Sequence, residues 1–384
     1  MTYNFDKQIN RRNTNSYKWD IGENELPMWV ADMDFEAAPE IIAALEKKVS
    51  EHVFGYQTLP DEWYEAYQNW WKSRHDIVFE KESLIFCTGV VPAISSAVRK
   101  FTTPAEKVII MTPVYNIFFN SILNNGRVVL ESPLKYENGR YDIDFDDFEK
   151  KVSDPQATLL ILCNPHNPVG RIWDRETLQC VGELCEKHHV TVFSDEIHCD
   201  LTDPGKSYVP YASVSKICSN HSITAIAPTK AFNLAGIQSA AVMVPNPALR
   251  HRIWRALNTD EVAEPNAFSV PATVAAFRHG GPWLDELRQY IFENKQYVAE
   301  FIQTYLPKLR LVDGEATYLL WLDCRAFTDN SAELWHTIRE KSGLFLSKGT
   351  DYGGDGRYFL RMNVACPRAN VIDAMHRLQT ALAD

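Results

Sequence analysis

Positive charge is in short supply in this chain. Its 384 residues carry 39 Lys and Arg against 50 Asp and Glu, a net charge of −11. General binding to nucleic acid or to an anionic membrane is thereby excluded, because no basic excess exists to displace counterions from phosphates. A local basic pocket for one anionic ligand is still allowed. Long apolar runs are missing too: none approaches the roughly 18 residues of a membrane span. The N-terminal stretch MTYNFDKQINRRNTNSYKWD has no apolar core of the signal-peptide kind, so a cytoplasmic protein is expected. The eight cysteines follow no disulfide or metal spacing and read as reduced thiols. The nearest approach to a metal cluster, His188, His189, His198 and Cys199, matches no zinc pattern, and no metal is expected. Internal repeats, low-complexity segments and Gly/Ser-rich linkers are absent as well.

An apolar content of 45% with 23% charged residues is that of a folded globular protein. The length is too great for one ordinary core and suits one large and one smaller lobe. Between about residues 85 and 245, short apolar runs (LIFCTG, KVIIMTP, RVVLESP, TLLILCN, VTVFSD, SITAIAP, SAAVMVP) alternate with amphipathic stretches such as PAISSAVRKF and DRETLQCVGELCEKHH. Runs buried on both faces and joined by helical crossovers predict an α/β fold with a mostly parallel, doubly wound sheet. Beyond residue 245, a long helical region, then GEATYLLWLDCR, a helix, GRYFLRMNVACPR and a last helix predict a smaller C-terminal α/β lobe. The expected division is 1–50 as a segment packing with the small lobe, 51–285 as the large lobe and 286–384 as the small one.

Ligands of such sheets collect at the C-terminal ends of the strands. Here those ends deliver an amide, Asn167 in NPHNPVG; a carboxylate, Asp195 in VTVFSD; and an amine, Lys230 in SITAIAPTK. That ordered trio is the set needed to hold and use pyridoxal 5'-phosphate (PLP). A lysine forming an imine must become neutral during turnover, which an interior site favours. A carboxylate at an apolar strand end is costly unless paired, and it would keep the pyridine nitrogen protonated; the alternative is a helix N-cap. Asn167 is placed to donate to the ring O3′, or serves simply as a turn former. The backbone N–H groups of Val90 and Val91, opening a helix after TGVV, suit a phosphate, with Thr229 as an added hydroxyl. His198 lies where it can flank the ring, and Tyr115 where it can stack on it; both also read as structural residues. Arg361, charged within the apolar YFLRMNVACPR, needs an anion: a substrate carboxylate or a structural ion pair. Trp29 and Ala31 in LPMWVADMDF and Tyr56 in VFGYQTLP are candidates to line the pocket, and equally suit packing.

The set LPMWVADMDF, GYQ, GVVPAI, TPVYNIFFN, NPHNPVGR, SDEIHCDL, PTKAFNLAGIQ and LRMNVACPR resembles the fold-type I, aminotransferase-like PLP enzymes. Within them it is similar to the MalY/PatB-type cystathionine β-lyases (cysteine-S-conjugate β-lyases), over about residues 20–370. The resemblance implies that Lys230 is the Schiff-base lysine and proton-transfer group, Asp195 the partner of the pyridine nitrogen, and Asn167 the O3′ donor. It makes Tyr115 the stacking ring, Val90 and Val91 the phosphate turn, and His198 the substitute for a tyrosine near O3′. Arg361 becomes the clamp on the substrate α-carboxylate. Tyr56 matches a tyrosine that reaches the phosphate in the neighbouring subunit, which implies a homodimer with shared active sites. Gln238 stands where many relatives carry a basic phosphate ligand, and Pro228 where many carry serine, so backbone groups, Thr229 and Tyr56 take on that load. The activity implied is α,β-elimination from an S-substituted cysteine to a thiol, pyruvate and ammonia. An aminotransferase of the same fold, or a mainly regulatory PLP-fold protein, is the competing reading, and the preferred sulfur substrate is left open.

Overall fold

In the computed structural model, which describes residues 2–383, the apolar runs become one seven-stranded sheet. Its strands are β1 (Leu84–Cys87), β2 (Lys107–Thr112), β3 (Val128–Pro133), β4 (Ala157–Cys163), β5 (Thr191–Asp195), β6 (Ser222–Ile226) and β7 (Ala240–Met243). They lie in the order β1-β7-β6-β5-β4-β2-β3. Only β7 runs antiparallel to its neighbours, so the C-terminal ends of the other strands share one edge.

The side-chain alternation of a strand explains why the runs are apolar throughout. Val108, Ile110, Leu159 and Ile161 pack on one face with Ala93, Ile94 and Ala97 of the helix Val90–Phe101. Ile109, Met111, Leu160 and Leu162 pack on the other with Leu178, Val181 and Cys185 of the helix Arg175–Lys187. Each Val, Leu, Ile or Met among them contributes roughly 1.5–3 kcal/mol by leaving water. The helix Arg175–Lys187 starts where Asp174 accepts a hydrogen bond from the Thr177 N–H at 2.8 Å.

A second, antiparallel sheet is built from β8 (Arg310–Leu311), β9 (Leu319–Asp323), β10 (Ser347–Lys348) and β11 (Phe359–Asn363), in the order β8-β9-β11-β10. The helical region 247–305 consists of three helices, Pro247–Thr259, Ser269–His279 and Gly281–Tyr305. The last of these passes through residue 285, where the sequence places the change of lobe. The N-terminal stretch divides its allegiance. Leu26 and Pro27 pair with Leu344 and Phe345 of the C-terminal part, while the helix Pro39–Val49 lies against Ser269–His279.

Candidate active site

Asp195 and Lys230 come from neighbouring strands at the centre of the sheet. Asp195 ends β5, paired with Cys163 of β4 and Ala225 of β6. It is 5% exposed, and its Oδ1 accepts a hydrogen bond from the Ile197 N–H at 3.1 Å. Burial raises its pKa to about 7, against the lowering effects of the Ile197 N–H and the Lys230 charge. Lys230 lies four residues beyond the end of β6 and is partly buried. Its Nζ donates to the Ala31 carbonyl at 2.6 Å, and the Tyr318 hydroxyl donates to the same oxygen at 3.0 Å. Burial, then the nearby Arg361 charge, lowers the lysine pKa to about 8, with Asp32 and Asp195 pulling it back up.

Asn167 and Arg361 meet across the two lobes. Arg361 sits mid-strand in β11, opposite Trp321 of β9 and Ser347 of β10, and is 4% exposed. Its Nη1 donates to Asn167 Oδ1 at 3.3 Å, and its Nη2 to the Trp29 carbonyl at 2.8 Å and to Ser347 Oγ at 3.4 Å. Its Cζ lies 5.0 Å from the centre of the Tyr352 ring. No carboxylate among the described residues pairs with it, and its Nε is buried without a partner. The structural ion-pair reading therefore fails. A buried guanidinium held only by neutral oxygens keeps charge that an anion could meet. With Asn167 Oδ1 engaged, the amide Nδ2 is the free donor of that side chain. The turn carrying Asn167 closes at Gly170, whose φ is +71°; a Cβ there would lie 2.9 Å from Gly314 Cα, so only glycine fits.

His198 is buried, and burial depresses its pKa to about 3, so the ring is neutral. Its Nδ1 is buried with no hydrogen-bond partner, unlike that of a satisfied structural histidine. Tyr115 is half-buried beside Asp195 and Arg361, both of which act on its hydroxyl, and burial raises its pKa to about 12. Val90 and Val91 open the helix Val90–Phe101, whose first N–H groups have no intrahelical acceptor. Thr229 is buried next to Lys230, while Gln238 is exposed, with a left-handed backbone at φ 56°. Trp29 and Ala31 contribute carbonyl oxygens, to Arg361 and to Lys230; the Trp29 ring stacks on Phe345 at 4.8 Å. Tyr56 is not brought to this constellation by its own chain. It is 99% exposed, on an irregular stretch beside a surface cavity of about 600 Å³ that Lys47, Val270 and Arg278 also line.

Several contacts have no signal in the sequence. Ser347, Tyr352 and Tyr318 join the site from the second sheet and its flanks, far along the chain from the trio. Asn233 fastens the stretch after Trp29 through Met33 and Phe35, with distances of 3.0 to 3.1 Å. His75, Cys199 and Asp200 converge within 4.8 Å, a grouping that could hold a metal ion. Asp200 Oδ1 there already accepts from His75 Nε2 at 2.8 Å and Trp70 Nε1 at 3.0 Å, and Arg74 and Arg288 line the same cavity.

A parallel sheet with a carboxylate and an amine at its strand ends, and a free guanidinium facing them, defines a fold-type I PLP-dependent enzyme. The unfilled Nδ1 of His198, the free Asn167 amide and the raised pKa of Asp195 all fit a planar, protonated heterocycle. The chain belongs to the aminotransferase class I and II family, whose model matches residues 18–378. Within it, the chain falls in the PatB/MalY-type group. It is 44% identical to cystathionine β-lyase PatB of Bacillus subtilis, over 99% of this chain and 100% of that protein. To protein MalY of Escherichia coli it is 30% identical over 96% of both chains. The PLP-bound C–S lyase of Staphylococcus hominis superposes with a TM-score of 0.93 at 31% identity, covering 100% of this chain and 99% of the other.

Proposed function

We propose that this chain is a PLP-dependent carbon–sulfur β-lyase that cleaves L-cystathionine or a related cysteine S-conjugate to a thiol, pyruvate and ammonia. The observation that carries this reading is the 44% identity to PatB along the whole chain. PLP, when bound, supplies the sink for the electron pair left on the substrate Cα. With PLP bound, Lys230 would hold its aldehyde through the amine, Asp195 would pair with the ring nitrogen, and Asn167, His198 and Tyr115 would contact the ring. The Val90 and Val91 backbone N–H groups and the Thr229 hydroxyl would receive its phosphate. Arg361 fixes the substrate α-carboxylate, with Asn167, Trp29 and Ala31 around it. The Lys230 amine would take the Cα proton; its lowered pKa makes the neutral, basic form accessible near neutral pH. The Cβ–S bond then breaks, the thiolate leaves with the bonding pair and is protonated, and the three-carbon remainder takes up water to give pyruvate and ammonia.

The full exposure of Tyr56 supports a homodimer in which that residue completes the partner's phosphate site. The expected lobes, 1–50 with the small one, 51–285 and 286–384, remain our division of the chain. Eight unpaired cysteines support a reducing, cytoplasmic setting. Incubation with L-cystathionine and no keto acid tests the reaction. Pyruvate and a free thiol are expected; amino-group transfer that requires an added keto acid, without pyruvate from cystathionine, would establish the aminotransferase instead.

A further inference from the structure

Residues 29–35 form no regular secondary structure, yet other parts of the chain claim most of their carbonyls. Arg361 and Ser347 hold that of Trp29, Asn363 those of Val30 and Asp32, Lys230 and Tyr318 that of Ala31, and Asn233 those of Met33 and Phe35. Asp32 thus follows directly on the residue that receives the Lys230 amine. Its side chain belongs to a four-member ion cluster. Arg11 reaches Asp32 at 2.9 Å and Asp34 at 2.8 Å; Lys18, fully buried, lies 2.8 Å from Asp34 and 3.6 Å from Asp32. Lys18 is therefore spent mainly on Asp34, and Asp32 Oδ1 is buried without a hydrogen-bond donor.

We propose that Asp32 is a positioning residue for Lys230: with the Ala31 carbonyl and Tyr318 it forms a dock for the protonated lysine, retaining beside the substrate the proton that Lys230 has removed. This rests on the lysine's role in the reading above. The groups that act on Lys230 come from several elements. Arg361 on β11 opposes its charge; Asp195 at the end of β5 favours it, but would be engaged by the ring nitrogen in the reading above. His198, beside it, is neutral, and the hydroxyls of Tyr115 and Tyr318 stay protonated. Asp32 is the carboxylate left to balance the ammonium, and it acts on Tyr318 as well. Arg11 and Lys18 keep that balance partial, so the lysine is held without being trapped.

The test is a pH titration of the visible absorbance of the lysine-bound cofactor in the full-length holoenzyme, without substrate. Removing the negative charge by Asp32→Asn destabilises the protonated linkage, so the midpoint falls by on the order of one pH unit. Arg11→Gln unmasks the Asp32 charge and moves the midpoint up. An unmoved midpoint in Asp32→Asn, or displacement of both variants in the same direction, overturns the proposal. Should Asp32→Asn fail to fold, Arg11→Gln decides alone: a rise supports the dock, and no change refutes it. Because the titration uses no substrate, a protein that leaves cystathionine intact sinks the lyase reading without touching this result.

Discussion

Replacing Arg361 by Met separates binding from stability. A carboxylate about 4 Å from the guanidinium, at the effective dielectric of roughly 20 that suits partly screened sites, interacts by about 4 kcal/mol. Losing it lowers kcat/KM for an α-carboxylate substrate by about 10³, mostly through KM. Folding responds differently. Arg361 has only neutral acceptors in the substrate-free protein, and the Trp29 carbonyl keeps a donor in Ser347 Oγ at 2.9 Å. Burying an unpaired charge costs several kcal/mol, which a similarly sized apolar side chain avoids. The variant therefore melts at or above the parent's Tm by calorimetry, while pyruvate release from L-cystathionine collapses. An S-substituted cysteamine, which lacks the carboxylate, is handled by the variant at least as well as by the parent. A Tm lowered by many degrees with kcat/KM held within about tenfold would mean that Arg361 is structural, and the clamp would be refuted.

Lys230→Ala binds PLP without a covalent link, visible as loss of the lysine-bound absorbance, and releases no pyruvate; near-normal turnover would remove Lys230 from its role. Asp195→Asn lowers kcat by about 10² or more and changes the pH dependence of stability in the cofactor-free protein. The raised folded pKa of about 7 means that the native carboxyl keeps its proton where the unfolded one has lost it. The parent is accordingly penalised progressively from about pH 4 to pH 7, by up to about 4 kcal/mol. Melting curves of parent and Asp195→Asn should diverge across that window in favour of the variant, and parallel curves would contradict the buried, costly carboxylate. Tyr56→Ala and Lys230→Ala are each inactive alone, but mixed after unfolding and refolding they recover about a quarter of parental activity, because half the dimers hold one intact site. No recovery would place Tyr56 outside the partner's site.

The large sheet was legible because its strands are buried on both faces, so continuous apolar runs mark them and the polar residue closing each run marks the site edge. Asp195, Lys230 and Asn167 are visible for that reason. Arg361 stands out as a charge within an apolar strand, but its freedom from any carboxylate is a tertiary fact that no local pattern encodes. The region 247–305 reads as helical, and it is; its division by the turn at 260–268 and again at Gly280 is what the structure adds. Asp32 was hidden for a different reason. In WVADMDF it looks like one of two ordinary loop acids; Arg11 and Lys18 reach both, and what sets Asp32 apart is its place directly after Ala31, whose carbonyl receives the Lys230 amine.

The charges of the site are arranged so that substrate completes them. Lys230 at about 8 and Asp195 at about 7 are each pushed by burial toward their neutral forms, and Arg361 depresses the lysine further. A substrate carboxylate seated on Arg361 cancels the charge that holds the lysine pKa down. Lys230 then becomes more basic as the correct substrate arrives, with Asp32 and the Ala31 carbonyl ready for the proton it takes. An amine without a carboxylate leaves Arg361 uncompensated and meets a weaker base. On the proposed roles, discrimination for amino acids would lie in the proton-transfer step as well as in binding, because one guanidinium would both receive the carboxylate and hold down the basicity of the lysine.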